Sequence, residues 1–231
     1  MITSRGRTLR RWRMLGPAAA PAAIRHEGRG PAALVLHGFT GTPHEVAPLA
    51  AGLAAEGRTT VAPPLPGHGT CPTLLGATAF DDWLAFARRE AEALLALHPE
   101  GIVLAGFSLG SLVATVLAAE LGASVCALLA LAPPLALRPA LRLPLEAFGR
   151  APRVPDWYVK KLLPADVRVG RGSLPWRRSE PVRSYDRDPL RAAVEVARGG
   201  RRAQQVLPNV TVPILVQHGA HDAVCPVGNA H

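Results

Sequence analysis

Apolar residues occur along this chain in short continuous runs separated by segments with helical spacing. The runs, which are typical of buried strands, cover 32–36, 59–62, 102–106, 125–131 and 212–217. The helical spacing predicts helices at 46–56, 81–98, 110–121, 141–148, 155–163 and 189–202. Asp81 is the predicted N-cap of the second helix. Strands alternating with helices predict an α/β fold, with a mostly parallel, twisted sheet covered by helices on both faces.

The stretch 135–206 interrupts this alternation. It is rich in proline and arginine, and its aromatic residues, among them Phe148, Trp157 and Trp176, need a surface to pack on. This favours an inserted helical cap over a disordered linker. The predicted organisation is a first part of the core at 1–134, the cap at 135–206 and a second, incomplete part of the core at 207–231.

The basic residues are concentrated in two segments. Net charge is +9, and 48% of residues are hydrophobic, which indicates a globular protein with a substantial core. Residues 138–202 hold 16 basic and 7 acidic side chains, whereas 30–137 hold 3 basic and 8 acidic ones. A solvated basic face is the simplest interpretation, and a weak attraction to anionic membrane surfaces or to acidic substrates is the alternative. Nucleic-acid binding is not predicted, because no recognition motif accompanies the charge.

Cysteine usage and the N-terminus indicate the cellular compartment. Cys71, Cys126 and Cys225 are widely spaced and odd in number, which argues against a disulfide framework and against structural zinc. The basic N-terminus is followed by a proline-broken stretch that makes a poor signal peptide, and no apolar run is long enough to span a membrane. We therefore predict a cytoplasmic protein. The sequence implies no metal or organic cofactor, and oligomeric state stays open.

The motif Gly106-Phe107-Ser108-Leu109-Gly110 lies between the apolar run 102–105 and an apolar helix. A Gly-x-Ser-x-Gly motif in this strand–turn–helix context predicts a serine nucleophile raised off the sheet beside a helix N-terminus. Side chains at the flanking glycine positions would collide with the turn or its neighbouring strand. Ser108 is therefore the candidate nucleophile for acyl transfer.

Acyl transfer also needs oxyanion donors and a carboxylate that orients the base. The predicted donors are the main-chain N–H groups of Leu109, at the helix start, and Phe39, in the loop after the first core strand. In that loop Gly38 lets the backbone approach the substrate. Asp222, five residues after Gln217 on the loop that follows the last strand, is the candidate acid.

Four ordered motifs carry a resemblance to a known family. They are His37-Gly38-Phe39-Thr40-Gly41-Thr42-Pro43, Leu65-Pro66-Gly67-His68-Gly69, the Ser108 motif, and His218-Gly219-Ala220-His221-Asp222. Over about residues 25–231 the chain resembles the α/β-hydrolases, most closely the bacterial carboxylesterase and monoacylglycerol lipase branch. The resemblance implies Ser108 as nucleophile, Asp222 as acid, Phe39 and Leu109 as oxyanion donors, and a small lid at 135–206. It also implies that the loop carrying His68 shapes the substrate site.

The chain departs from this pattern at its end. In the family the catalytic histidine follows the acid by about 25–35 residues, given ordinary element lengths. Here His231 is the last residue, nine after Asp222, and it is not expected to be the base. His37, His68 and His221 are loop histidines at other chain positions; the simplest interpretations are a loop hydrogen-bonding residue for His37 and His68 and a solvent-exposed turn residue for His221. We therefore expect a fragment or truncated product that lacks the last helix–strand–helix unit, is nearly inactive as it stands, and exposes an apolar sheet edge.

The predicted function is a serine esterase that acts on a small ester substrate, either a short- or medium-chain acyl ester or a monoacylglycerol. A thioesterase, acyltransferase or aminopeptidase on the same scaffold is an alternative, because a fold does not fix a substrate. An inactive hydrolase fold used for binding is another.

Overall fold

Nine strands form two sheets in the computed structural model, which describes residues 2–3, 21–160, 185 and 187–230. They are β1 (Ile2–Thr3), β2 (Ile24–His26), β3 (Ala32–Leu36), β4 (Thr60–Ala62), β5 (Ile102–Phe107), β6 (Val125–Leu131), β7 (Tyr158–Lys160), β8 (Arg187–Pro189) and β9 (Ile214–Gln217). The larger sheet has the order β2-β4-β3-β5-β6-β9. Its neighbouring strands are parallel except for the β2–β4 pair. The predicted mostly parallel sheet is confirmed.

Six helices accompany the sheets in the described residues. They are α1 (Ala47–Ala55), α2 (Pro72–Gly76), α3 (Phe80–Leu97), α4 (Leu109–Leu121), α5 (Pro139–Arg150) and α6 (Leu190–Val206). Single 3-10 turns lie at Pro43–Val46, Gly122–Ser124, Leu207–Asn209 and Val227–Ala230. Among these described helices, none has the length and apolar character needed to cross a lipid bilayer.

Strand β3 shows how the helices cover both faces of the sheet. All five of its residues are buried, and alternate side chains point to opposite faces. Leu34 and Leu36 join the larger core cluster, which contains residues of α3 and α4. Ala33 and Val35 join a smaller cluster with Ala50 of α1. A strand buried on both sides reads as a continuous apolar run, as the sequence of β3 does.

Helix α4 is enclosed by the rest of the fold. Its residues from Leu109 to Ala118 are all buried, and it contacts β5, β6 and α6. Helix α6 adds Ala192, Val196 and Ala203 to the larger core cluster. The cap range 135–206 remains a prediction as a unit. Within it, α6 packs on the core, and Trp176 lies outside the described residues.

The helix predicted at 155–163 is wrong. Residues Tyr158–Lys160 form β7, which pairs antiparallel with β1, where Ile2 lies opposite Val159. On its other side β7 pairs with β8, where Asp188 lies opposite Val159. Both partners are distant in sequence, so local apolar spacing carries no information about this pairing.

The predicted N-cap of α3, Asp81, is also wrong, because the N-cap is Ala79, two residues earlier. The helix begins at Phe80, and the Asp82 carboxylate accepts a 2.8 Å hydrogen bond from the main-chain N–H of Ala79. Asp81 instead pairs with Arg202 of α6. Either aspartate is favourable in a first helical turn, so residue type alone does not decide which one caps it.

Candidate active site

Ser108 occupies a sharp bend between β5, which ends at Phe107, and α4, which begins at Leu109. Its backbone has φ 51° and ψ −118°, a conformation that costs a residue with a side chain about 1–3 kcal/mol. Two hydrogen bonds hold it there. The Ser108 N–H donates to the Leu131 carbonyl at 2.8 Å, and the Ser111 hydroxyl donates to the Ser108 carbonyl at 2.5 Å. The strand–turn–helix bend expected from the sequence is therefore present, with Ser108 partly exposed at its tip.

The two glycines of the motif are required by close backbone contacts. A Cβ at Gly106 would lie 2.3 Å from the carbonyl carbon and oxygen of Gly110. A Cβ at Gly110 would lie 2.2 Å from the main-chain oxygen of Leu36. The expected steric reason for these glycines is thus correct. The Gly110 contact also shows that the first turn of α4 lies directly against the end of β3.

The loop after β3 brings the predicted oxyanion donors to this bend. Leu36 lies opposite Gly106 in the parallel β3–β5 pair, so both strands end at the same edge of the sheet. Phe39, partly exposed, follows two residues after His37, and Leu109 is the first residue of α4. The first N–H groups of a helix have no acceptor within the helix. Leu109 directly follows Ser108, and Phe39 lies on the loop after the neighbouring strand; the role of their amides as oxyanion donors stays a prediction.

His37 is a buried structural residue of this loop. Its Nε2 accepts a 3.0 Å hydrogen bond from the Leu65 N–H, so the proton is on Nδ1, which lies 2.9 Å from the Gly38 carbonyl oxygen. Burial lowers the pKa of His37 to about 4, against the opposing effect of the bond to Gly38. Both ring nitrogens are committed, so the interpretation of His37 as a loop hydrogen-bonding residue is confirmed.

His68 packs beside His37 and is 2% exposed. Its ring makes edge contacts with the rings of His37, Phe39 and Trp83, at centroid distances of 4.9, 6.4 and 5.8 Å. Burial, followed by the neighbouring His37, lowers its pKa well below the usual value. Nδ1 donates to the Pro66 carbonyl at 3.1 Å. His68 thus packs against the loop that carries Phe39, and its direct contact with substrate stays a prediction.

Asp222 lies at the same edge of the sheet, two strands from Ser108. Phe107 of β5 is opposite Leu131 of β6, which in turn is opposite Gln217 of β9. The turn after Gln217 carries Asp222, whose Oδ1 accepts hydrogen bonds from the N–H groups of Val224 and Cys225 at 2.7 and 2.9 Å. The structure therefore brings the carboxylate and the serine to one end of the fold, on loops that follow separate strands.

Two contacts to the loop that carries Asp222 were not anticipated from the sequence. The Arg138 guanidinium, at the start of α5, donates to the Asp222 carbonyl at 3.0 and 2.7 Å. Asn229 donates to the carbonyls of Pro133 and Ala136 at 2.8 Å each, and its Oδ1 accepts from the Ala136 N–H at 3.1 Å. These hydrogen bonds join the segment after β6 to the loop after β9 that carries Asp222, which is called the acid loop. No local pattern marks Arg138 or Asn229, because their partners lie 84 or more residues away.

The remaining histidines occupy different positions. The His218 side chain is 1% exposed, and its Nε2 lies 3.4 Å from the Cys225 carbonyl oxygen and 3.5 Å from Asp222 Oδ2. His218 belongs to a motif that was recognised, but no role was predicted for it. His221 is exposed, as expected of a turn residue. His231 lies outside the described residues.

Cys225 adjoins the carboxylate. Burial, with a smaller effect from Asp222, raises the pKa of its thiol to about 12. The thiol is therefore neutral at physiological pH.

Comparison with known proteins relates the chain to lipolytic enzymes in sequence. The family described as serine aminopeptidase, S33, matches residues 31–231. A thermostable monoacylglycerol lipase from a Bacillus species is 29% identical over 197 residues, which cover 85% of this chain and 72% of that enzyme.

Solved structures show the same relation in three dimensions. One from the metagenome-derived lipolytic enzymes LipS and LipT superposes with a TM-score of 0.77 at 25% identity, covering 92% of this chain and 82% of the other. The monoacylglycerol lipase of Paleococcus ferrophilus superposes with a TM-score of 0.68 at 22% identity, covering 88% and 79%. At 22% identity, the similarity to the Paleococcus ferrophilus enzyme shows a shared fold and no more.

Proposed function

This chain belongs to the serine aminopeptidase S33 family and is an α/β-hydrolase of the bacterial esterase and monoacylglycerol lipase branch. We propose that it cleaves carboxylic esters through an acyl-enzyme on Ser108. The observation that carries the proposal is the strained backbone of Ser108 at the tip of the bend after β5. Strain of this kind persists where the surrounding structure enforces it, and it is concentrated at functional sites.

The proposed reaction begins with attack of the Ser108 hydroxyl oxygen on the ester carbonyl carbon. A general base takes the hydroxyl proton; in the family this is a histidine oriented by the acid, for which Asp222 is proposed, and we assign no histidine of the described residues to the role of base. The N–H groups of Phe39 and Leu109 donate to the oxygen that becomes negatively charged. Collapse of the tetrahedral intermediate expels the alcohol, which receives the proton. Water then attacks the acyl-enzyme by the same route and releases the carboxylic acid.

The proposed substrates are short- or medium-chain acyl esters, including monoacylglycerols. The Bacillus relative is named as a monoacylglycerol lipase, and it is similar to this chain over 85% of the chain's length. Leu109 belongs to the larger core cluster and Phe39 packs against it, so the residues that carry the proposed oxyanion donors have apolar side chains in an apolar environment. An apolar surround of this kind suits an acyl group better than a sugar or nucleotide.

The family description favours a second candidate, hydrolysis of an N-terminal peptide bond by the same serine. Esters and amides pass through the same type of tetrahedral intermediate, but an aminopeptidase must also recognise a free amino group. We therefore expect hydrolysis of p-nitrophenyl butyrate and little or no hydrolysis of alanine p-nitroanilide. The opposite preference would favour the aminopeptidase.

The experiment that tests the nucleophile compares the unmodified chain with Ser108→Ala, each extended beyond residue 231 to supply the histidine base that the family resemblance implies. Every activity measurement described below uses this extended chain, and "unmodified" means without a substitution. The matched control is Ser124→Ala, because Ser124 is exposed and lies at the far end of α4. We expect p-nitrophenyl butyrate hydrolysis and labelling by a fluorophosphonate probe in the unmodified chain and in Ser124→Ala, and the loss of both in Ser108→Ala. Hydrolysis that survives in Ser108→Ala, or that is absent from the unmodified chain, would contradict the proposal.

A further inference from the structure

The Glu45 carboxylate lies inside the turn that carries the predicted oxyanion donor Phe39. Glu45 belongs to the 3-10 turn Pro43–Val46 and is partly buried. Its Oε2 accepts a 2.8 Å hydrogen bond from the main-chain N–H of Gly38. A carboxylate acceptor makes this bond stronger than one between neutral groups. Glu45 is therefore attached directly to the residue before Phe39.

Two glycines leave the space that this carboxylate occupies. A Cβ at Gly41 would lie 2.3 Å from Glu45 Oε2 and 2.9 Å from its carboxyl carbon, and a Cβ at Gly38 would lie 3.0 Å from Oε2. Neither glycine has a positive φ; in this turn Thr40 does, at 61°. Gly41 is thus needed here for space and not for backbone freedom. The turn is shaped around the Glu45 side chain.

The Gly38–Phe39 peptide is fixed on its carbonyl side as well. The Gly38 carbonyl oxygen accepts from the Gly41 N–H at 3.1 Å and lies 2.9 Å from His37 Nδ1. Because a trans peptide is planar, the Phe39 N–H points opposite to that carbonyl. Glu45 holds the N–H of Gly38, so both peptide planes that flank Gly38 are held. The direction of the Phe39 N–H follows from these contacts.

We propose that Glu45 is a positioning residue that pre-orients the Phe39 N–H as an oxyanion donor. This inference rests on the proposed ester hydrolysis at Ser108. Glu45 touches neither substrate nor the reacting atoms, and it acts through the Gly38 peptide. An N–H group that already points at the position of the oxyanion needs no reorganisation during the reaction. If the Phe39 N–H lost this fixed direction, binding of the transition state would weaken, whereas binding of the substrate would not.

The test compares Glu45→Ala with Glu45→Gln. The glutamine amide oxygen can still accept from the Gly38 N–H, whereas alanine cannot. For Glu45→Ala we expect kcat for p-nitrophenyl butyrate to fall by about 10- to 100-fold, while KM changes by no more than about twofold. This loss is smaller than the roughly 100- to 1000-fold loss of kcat that follows removal of an oxyanion donor itself, because the Phe39 N–H remains. Glu45→Gln should restore most of kcat. Glu56→Ala, at an exposed position after α1, is the matched control.

Binding of butylboronic acid gives a second readout, because its tetrahedral adduct with a serine resembles the transition state. Its inhibition constant should rise in Glu45→Ala by about the same factor as kcat falls. Gly41→Ala tests the geometry separately, since the new methyl group displaces the carboxylate without removing its charge. This variant should resemble Glu45→Ala. Circular dichroism of each variant establishes whether it is folded.

The outcomes separate the two proposals. If hydrolysis is absent from the unmodified chain or survives Ser108→Ala, the proposed function fails and the role of Glu45 fails with it. If hydrolysis depends on Ser108 but folded Glu45→Ala keeps kcat within twofold, the Glu45 proposal alone is overturned. It is also overturned if kcat of Glu45→Gln is no higher than kcat of Glu45→Ala. If Glu45→Ala does not fold, Glu45→Gln decides: binding of butylboronic acid at least tenfold weaker than in the unmodified chain overturns the proposal.

Discussion

The main-chain N–H of Ser108 donates a 2.8 Å hydrogen bond to the carbonyl oxygen of Leu131, the last residue of β6. This bond ties the bend after β5 to the neighbouring strand and holds Ser108 at φ 51°. A residue with a side chain is strained there, whereas glycine is not. The fold therefore holds Ser108, the proposed nucleophile, in a backbone conformation that is unfavourable for serine.

Replacing Ser108 by glycine should abolish hydrolysis and stabilise the fold. Relief of about 1–3 kcal/mol of strain exceeds the entropy that glycine adds to the unfolded chain, about 0.5–1 kcal/mol, so we expect a net gain of about 1 kcal/mol. Ser108→Ala is the control, since it removes the hydroxyl but keeps the strain. Urea denaturation measures both. A glycine variant no more stable than the alanine variant would show that the bend stores no strain.

The glycines beside Ser108 should not tolerate a side chain. The new methyl group in Gly106→Ala or Gly110→Ala would meet backbone atoms at 2.2–2.4 Å, which cannot move without separating α4 from the sheet. We expect each variant to lose about 3 kcal/mol of stability or to fail to fold. Gly52→Ala, on the exposed side of α1 with nothing within 4 Å, should instead gain about 0.5–1 kcal/mol. Thermal denaturation of the three variants checks this contrast.

Local patterns were sufficient to predict the bend at Ser108 from the sequence. The strand, the helix and both glycines lie within a few residues of it, and each contributes its own signal. The helix predicted at 155–163 failed for the opposite reason. Its residues form β7 by pairing with β1 and β8, which lie far away in the chain.

Contacts between distant residues also define the site, and these were not predictable. The bond from the Leu65 N–H to His37 Nε2 joins residues 28 positions apart. His37 and Leu65 belong to motifs that the sequence revealed, but no spacing rule states that one ring links the two loops. Glu45 was not predictable either, although it lies close to Gly38 in sequence. Its carboxylate comes to lie between two glycines only in the folded turn, and no sequence pattern indicates this contact.

Acid should destabilise the protein in part through His37. Burial lowers its pKa from 6.5 to about 4, so between these pH values the unfolded chain binds more protons than the folded chain. The stabilisation from neutral His37 is complete above pH 6.5 and is lost as the pH falls toward 4. We expect it to account for about 2 kcal/mol of the decrease in unfolding free energy between pH 7 and pH 5.

Comparison of His37→Asn with the unmodified chain measures this effect. The asparagine variant should be less stable at pH 7 but lose about 2 kcal/mol less on going to pH 5, as measured by urea denaturation. His44→Asn is the control, because His44 is exposed on the same loop. Equal pH dependence in the unmodified chain and His37→Asn would contradict the assignment of a neutral, buried His37.

Strand β9 presents apolar side chains to solvent at the edge of the described sheet. Ile214 is 40% exposed and Leu215 64% exposed. An exposed apolar edge strand favours association between copies. Leu215→Lys should therefore reduce self-association in sedimentation velocity at high concentration without lowering the melting temperature. The control is Leu97→Lys, because Leu97 is 77% exposed but lies at the end of a helix. A lysine at 215 that leaves association unchanged would rule out this edge as the contact.

Arg138 should govern how firmly the acid loop is held. Its guanidinium makes two hydrogen bonds to the Asp222 carbonyl, and no apolar side chain can replace them. In Arg138→Met we expect amide hydrogen exchange at Val224 and Cys225 to speed up by about tenfold, which corresponds to about 1.4 kcal/mol, near the lower end of the range for a hydrogen bond to a charged group. Arg150→Met, at the exposed end of the same helix, should leave these amides unchanged. Unaltered exchange in Arg138→Met would mean that the Arg138 guanidinium does not hold the loop.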